Sequence, residues 1–93
     1  MQYERTIKTL EKAGFTVARK IRDSTIRPGE KYEEGFVARR AGGKRRIEAC
    51  RQDDEVITMR VVRDNDKDDV QSDYHAGAWV DTVKRAIELA TIN

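Results

Sequence analysis

Between Gly35 and Asp64 the chain reads as three extended stretches separated by two short turns, and no other part of the sequence restricts the fold as much. The stretches are Gly35–Ala41, Lys44–Gln52 and Val56–Asp64. Gly42-Gly43 suits the first turn because glycine reaches positive φ without steric cost. Gln52-Asp53-Asp54-Glu55 suits the second. In "VITMRVVR", Ile57, Met59 and Val61 are expected to face a core while Thr58 and Arg60 face water, the two-residue period of a half-buried strand. An antiparallel meander is therefore expected at the centre.

The flanks supply the layer that covers it. Tyr3, Ile7, Leu10 and Ala13 recur at helical spacing, and Gly14 is placed to end that helix in a left-handed conformation. "FTVARKIR" alternates, with Phe15, Val17 and Ile21 on one side and Thr16, Lys20 and Arg22 on the other, which predicts a strand at an edge or on a solvated face. "DSTIRPGEKYEE" reads as a long loop, with Pro28-Gly29 at the centre of a β-turn. Toward the end, Ala76, Trp79/Val80, Val83, Ala86/Ile87 and Ala90 form an apolar stripe that predicts a closing helix, capped by Ser72 or Asp73. Trp79 would anchor that helix on the sheet, or, if exposed beside Tyr74, form a protein-binding hot spot. The expected architecture is α+β: a two-layer α-β-β-β-β-α sandwich whose three- to four-stranded antiparallel meander carries both helices on one face.

A helix, strands and a helix with a basic surface resemble, in topology, the double-stranded RNA-binding domain. That family is expected to carry a lysine pair at the start of its last helix. Here "HAGAWVDTVKRAIE" places Lys84-Arg85 two turns later and the chain has one strand more, so no functional residue carries over.

With 93 residues, 38% apolar and 39% charged, the chain has room for one domain, residues 1–93, with a small core and a heavily charged surface. No run of about 18 apolar residues is present, so no membrane partner is expected. "MQYERTIKTLEKAGF" is glutamate-bearing and helical in period, unlike a secretion signal. The single cysteine, Cys50, excludes an internal disulfide. Together these predict a soluble, cytoplasmic protein.

The net charge of +2 divides unevenly. Residues 1–52 hold 14 Lys/Arg against 7 Asp/Glu, a balance of +7, and residues 53–93 hold 5 against 10, a balance of −5. Either one-sided fields or internal neutralisation can follow. The centre of the positive half is "FVARRAGGKRRIEACR". Arg39, Arg40, Lys44, Arg45, Arg46 and Arg51 can grip a phosphate backbone if this hairpin projects, with Arg19, Lys20 and Arg22 assisting. Alternation opposes this, since Arg39 and Arg40 point to opposite faces, as do Arg45 and Arg46.

The acidic stretch 64–73 offers Asp64, Asp66, Asp68 and Ser72 at calcium-loop spacing. Asp69 replaces the required glycine and His75 the required glutamate, so no metal and no cofactor are expected. Cys50 and His75 are the minimal members of a nucleophilic pair, and no oxyanion motif or glycine elbow accompanies them, so no enzyme is expected. Asp66, Asp68, Asp69 and Asp73, with Tyr74 and Trp79, instead suit a protein-binding surface. The reading is a non-catalytic binding domain whose partner is a protein, including a second copy of the chain in a homo-oligomer. Such size and charge also suit a phage or mobile-element accessory or inhibitor protein. The alternative partner is DNA or RNA, gripped by the 39–51 hairpin.

Overall fold

The computed structural model describes residues 1–63 and 77–92. Its elements are α1 (Tyr3–Lys12), β1 (Thr16–Asp23), β2 (Lys31–Arg39), β3 (Arg45–Gln52), β4 (Glu55–Arg63), β5 (Gly77–Val80) and α2 (Val83–Ala90). The strands form one antiparallel sheet in the order β1-β2-β3-β4-β5, and the helices lie together on one face. The α+β two-layer sandwich is as expected, with five strands instead of three or four. Among the described residues no helix is long and apolar enough to cross a membrane.

α1 buries Tyr3, Thr6, Ile7 and Leu10. Its end is a Schellman turn: the Phe15 N–H donates to Leu10 O and the Gly14 N–H to Glu11 O, both at 3.0 Å, with Gly14 at φ 91°. The start is tied to the turn before β4 and to β4 itself, where the Tyr3 N–H donates to Asp54 O and the Val56 N–H to Met1 O, each at 2.8 Å. Tyr3, Leu10, Phe36, Ile47 and Met59 are the largest fully buried side chains, and with Ala86 and Ala90 of α2 they join both helices to the middle of the sheet.

Two β-bulges break the two-residue period. Cys50 faces Thr58 while Arg51 faces Val56, which leaves Ile57 as an extra residue on β4. Val56 and Met59 therefore both enter the core and Ile57 is 52% exposed, against the expectation that it packs inside. On the other side Lys20 faces Gly35 while Ile21 faces Glu33, so Glu34 is the extra residue on β2. Ile21 keeps the side of Val17 but lies beyond Arg19, which already reaches the first turn of α1 at Glu4. No helix among the described residues covers Ile21, and it is 53% exposed.

The stretch expected as a 23–34 loop is shorter. Asp23 belongs to β1 and Lys31–Glu34 to β2. Within 24–30, the Ser24 N–H donates to Glu30 O, and the Glu30 N–H to Arg27 O across a Pro28-Gly29 turn with Gly29 at φ 89°. β2 pairs with β3 only from Gly35 to Ala38, so residues 21–33 form a two-stranded arm that reaches past the rest of the sheet.

The closing helix starts later than the apolar stripe suggests. Gly77–Val80 is a strand on β4, and α2 begins at Val83 with Thr82 as its cap, whose hydroxyl accepts from the Arg85 N–H at 3.2 Å. Ser72 and Asp73, the caps expected from the sequence, lie outside the described residues. A strand satisfies the outer N–H and C=O groups of β4, which a helix placed there would leave open.

Tyr3 gives a pH prediction. Burial first, and the adjacent Glu33 carboxylate second, push its phenol above the ordinary value of 10. With the folded value the higher one, its contribution to stability is complete below about pH 10 and is lost as pH rises further. The hydroxyl has no hydrogen-bond partner among the described residues. Tyr3→Phe should therefore change stability at pH 7 by no more than about 1 kcal/mol and should flatten the loss above about pH 10. Denaturant melts at both pH values check this, and an unaltered alkaline loss would assign it to another group.

Candidate functional site

The basic hairpin does not project. Thr16 faces Arg39 and Arg45 faces Arg63, so β1 and β4 reach the same level as β2 and β3 and only the turn Arg40–Lys44 stands clear. That turn is closed by the Gly43 N–H donating to Arg40 O at 3.0 Å, with Gly42 at φ 72°.

Arg45, Arg46 and Arg51, all expected to grip phosphate, are held within the protein. Arg45 points toward the helices and donates to Leu89 O at 2.9 Å, where the last turn of α2 has carbonyls to satisfy. Arg46 points to the other face, 3.5 Å from Glu48, and donates to Arg63 O at 3.2 Å. Arg51 lies 4.5 Å from the Tyr3 ring centre and pairs with Asp54 at 3.4 Å and Glu33 at 3.8 Å. Arg39 and Lys44 are exposed on either side of the turn. Arg40, half-buried, has a buried Nε without a partner among the described residues.

The assisting cations divide in the same way. Arg19 donates to both oxygens of Glu4, at 2.7 and 2.8 Å, and to Glu33 at 3.0 Å. The Glu4 carboxyl is held below its usual range by that hydrogen bond. Arg22 pairs with Glu34. Lys20 has no ion-pair partner among the described residues.

The sheet face turned away from the helices is where the remaining chemistry gathers. One cross-strand row runs Lys20, Gly35, Cys50, Thr58, and the next runs Ala18, Val37, Glu48, Arg60, Trp79. Among the described residues no helix covers either row. Toward the basic turn, Val37 and Val62 are nevertheless buried, because the stems of Arg46 and Arg60 lie across that part of the face. Arg60 is fixed to Glu48 at 3.1 Å. Toward the arm the face is open, and the small side chains of Cys50 and Thr58 leave a depression of about 220 Å³. Lys20 and Glu34 stand on one side of it, Arg60 and Trp79 on the other.

Trp79 is thus not on the last helix. It is on β5 and 52% exposed, because the next residue, Val80, takes the core side of the strand. Asp66, Asp68, Asp69, Asp73 and Tyr74, expected beside it, lie outside the described residues, as does His75. Cys50 is exposed in the depression. No group of three or more His, Cys, Asp and Glu able to hold a metal occurs among the described residues.

The electrostatics of the depression are simple. Glu34 is matched by Arg22, and Glu48 by Arg60 and Arg46. Among the described residues that leaves the Lys20 ammonium unmatched, across the depression from a half-exposed indole. Sequence reasoning singled out Trp79 and, in a minor role, Lys20, but missed Thr58 and Arg60. The signal was present: residues 48, 50, 58 and 60 alternate with the buried 47, 49, 59 and 61. Comparisons with protein-family models, with curated proteins and with solved structures find no match for this chain.

Proposed function

We propose that this domain is a non-catalytic binding module that docks a protein segment on its open sheet face. The observation that carries the reading is the depression in which Lys20, without an anionic partner among the described residues, stands opposite the exposed ring of Trp79 over a floor of Cys50 and Thr58. Such a site suits an extended segment presenting a carboxylate to the ammonium and a flat apolar side chain to the indole. An exposed thiol in the floor suits a reducing compartment, the cytoplasm in the expectation above.

A second reading is nucleic-acid binding at the sheet end, favoured by Arg39, Arg40 and Lys44 around the turn. It is weaker because Arg45, Arg46 and Arg51 are engaged inside the protein, and each engaged arginine would have to leave a carboxylate or carbonyl to meet a phosphate.

Trp79 is the only tryptophan, so its emission reports on the depression directly. The test titrates the protein with a panel of short peptides pairing Asp or Glu with aromatic residues, and separately with labelled duplex DNA and single-stranded RNA at two salt concentrations. Peptide binding that shifts the emission and weakens about tenfold or more in Lys20→Glu supports the proposal. Nucleic-acid binding that falls steeply with salt and is lost on changing Arg39, Arg40 and Lys44 to alanine would replace it.

A further inference from the structure

β1 is an edge of the sheet, and it is long and uncovered. All of its residues except Val17 are exposed. Its pairing is with β2 alone, and among the described residues no other backbone group bonds to Thr16–Asp23. The opposite edge, β5, has only four residues. A row of unpaired N–H and C=O groups of this length is a template for another strand unless charges or a covering element block it.

We propose that the strand it takes is β1 of a second copy, paired antiparallel about a two-fold axis through Ile21. Residues directly opposite in an antiparallel pair share a face. With both helix layers on the same side, facing residues must have the same parity, so the axis passes through a residue and not between two. An axis at Arg19, Lys20 or Arg22 sets like charges against each other at its centre. An axis at Ala18 leaves the half-exposed Ile21 outside the ladder. With the axis at Ile21, that side chain meets the partner's Ile21, and Arg19 and Asp23 face the partner's Asp23 and Arg19. Asp23 has no ion-pair partner among the described residues of its own chain, and the partner's Arg19, which keeps Glu4 and Glu33, brings a cation across the ladder to it.

On the opposite face Lys20 meets the partner's Arg22. Arg22 already holds Glu34, and Glu34 also lines the depression beside Lys20. Each copy therefore brings a carboxylate to this like-charged pair. The two open faces become one continuous face in the dimer, and the inference does not depend on what docks there. The ladder spans residues 19–23 of each copy, far less than an obligate dimer buries, so association is reversible and in roughly the micromolar range.

The test combines association with register. Sedimentation velocity of the native chain should show a monomer converting to a dimer as concentration rises through roughly that range, and Ile21→Asp, at an exposed site, should abolish the conversion. In a Cys50→Ser background, Ile21→Cys should form an intermolecular disulfide under mild oxidation far faster than Ile26→Cys, whose site is 88% exposed but off the ladder. A native chain that stays monomeric throughout overturns the proposal. So does a dimer indifferent to Ile21→Asp, or equal cross-linking at positions 21 and 26.

Discussion

Replacing Gly35 with alanine is expected to unfold the domain or to cost it ~3 kcal/mol or more. Gly35 lies beside the β2 bulge, between Lys20 on β1 and Cys50 on β3. A Cβ there would stand 1.9 Å from Ala49 O, 3.0 Å from Ala49 C and 3.2 Å from Cys50 Cα. All three atoms are backbone of β3, so no side-chain rotation relieves the clash. Relief requires β2 and β3 to separate, and the neighbours in that pairing, Phe36 and Ala49, are core residues. Gly42→Ala is the comparison. Its Cβ meets nothing within 4 Å, and only its φ of 72° is unfavourable to alanine. That change should cost on the order of 1 kcal/mol. Urea unfolding of both variants measures the contrast, and a Gly35→Ala midpoint close to that of Gly42→Ala would mean that β2 and β3 pair in another register.

Trp79→Ala is expected to weaken docking on the open face by ~2 kcal/mol or more, about thirtyfold, with stability changed by less than about 1 kcal/mol. The separation of effects follows from the strand. Val80 holds β5 to the core, while Trp79 offers a half-exposed ring to whatever covers the depression. Lys20→Glu acts on the charge of the same site and should disfavour acidic segments while leaving uncharged ones less affected. Arg45→Ala should do the reverse of Trp79→Ala, lowering stability through the lost bond to Leu89 O and leaving docking intact. Titration of the same peptide against the three variants, each with a urea melt, checks the pattern. A Trp79→Ala protein that binds as tightly as the native one would remove the open face as the docking site.

The arm at residues 21–33 explains why the hairpin question had a different answer from the one its charges suggest. Two hairpins were available to project. The basic one, β2–β3, is flanked on both sides by strands that end level with it, and its arginines turn to Leu89, Glu48 and Tyr3. The one that does project, β1–β2, looks in half like a loop in sequence, because "DSTIRPGEKYEE" is rich in turn-forming and charged residues and its strand parts lack an apolar face. A ribbon exposed on both faces has no hydrophobic alternation to detect.

What the sequence alone determined is the set of local decisions. Alternation at 44–52 and 56–63, with glycines at 42 and 43, specified the meander. The 3–10 stripe followed by Gly14 specified the first helix and its end. The parity of Arg45 and Arg46 already required one of them to face the helices. Tertiary structure decided what no local period records. A bulge opposite Cys50 and Arg51 turned Ile57 out of the core, and the open edge of β4 drew Gly77–Val80 into a strand although their apolar spacing also fits a helix. Groups distant in sequence, Glu4, Glu33 and Glu48 with Leu89 O, determined which arginines are engaged, and strand pairing set Lys20 and Trp79 across one depression. The physical reason is common to all three. A period reports which neighbours along the chain share a face, whereas bulges, edge pairing and ion pairs depend on backbone and charges that only folding brings within reach.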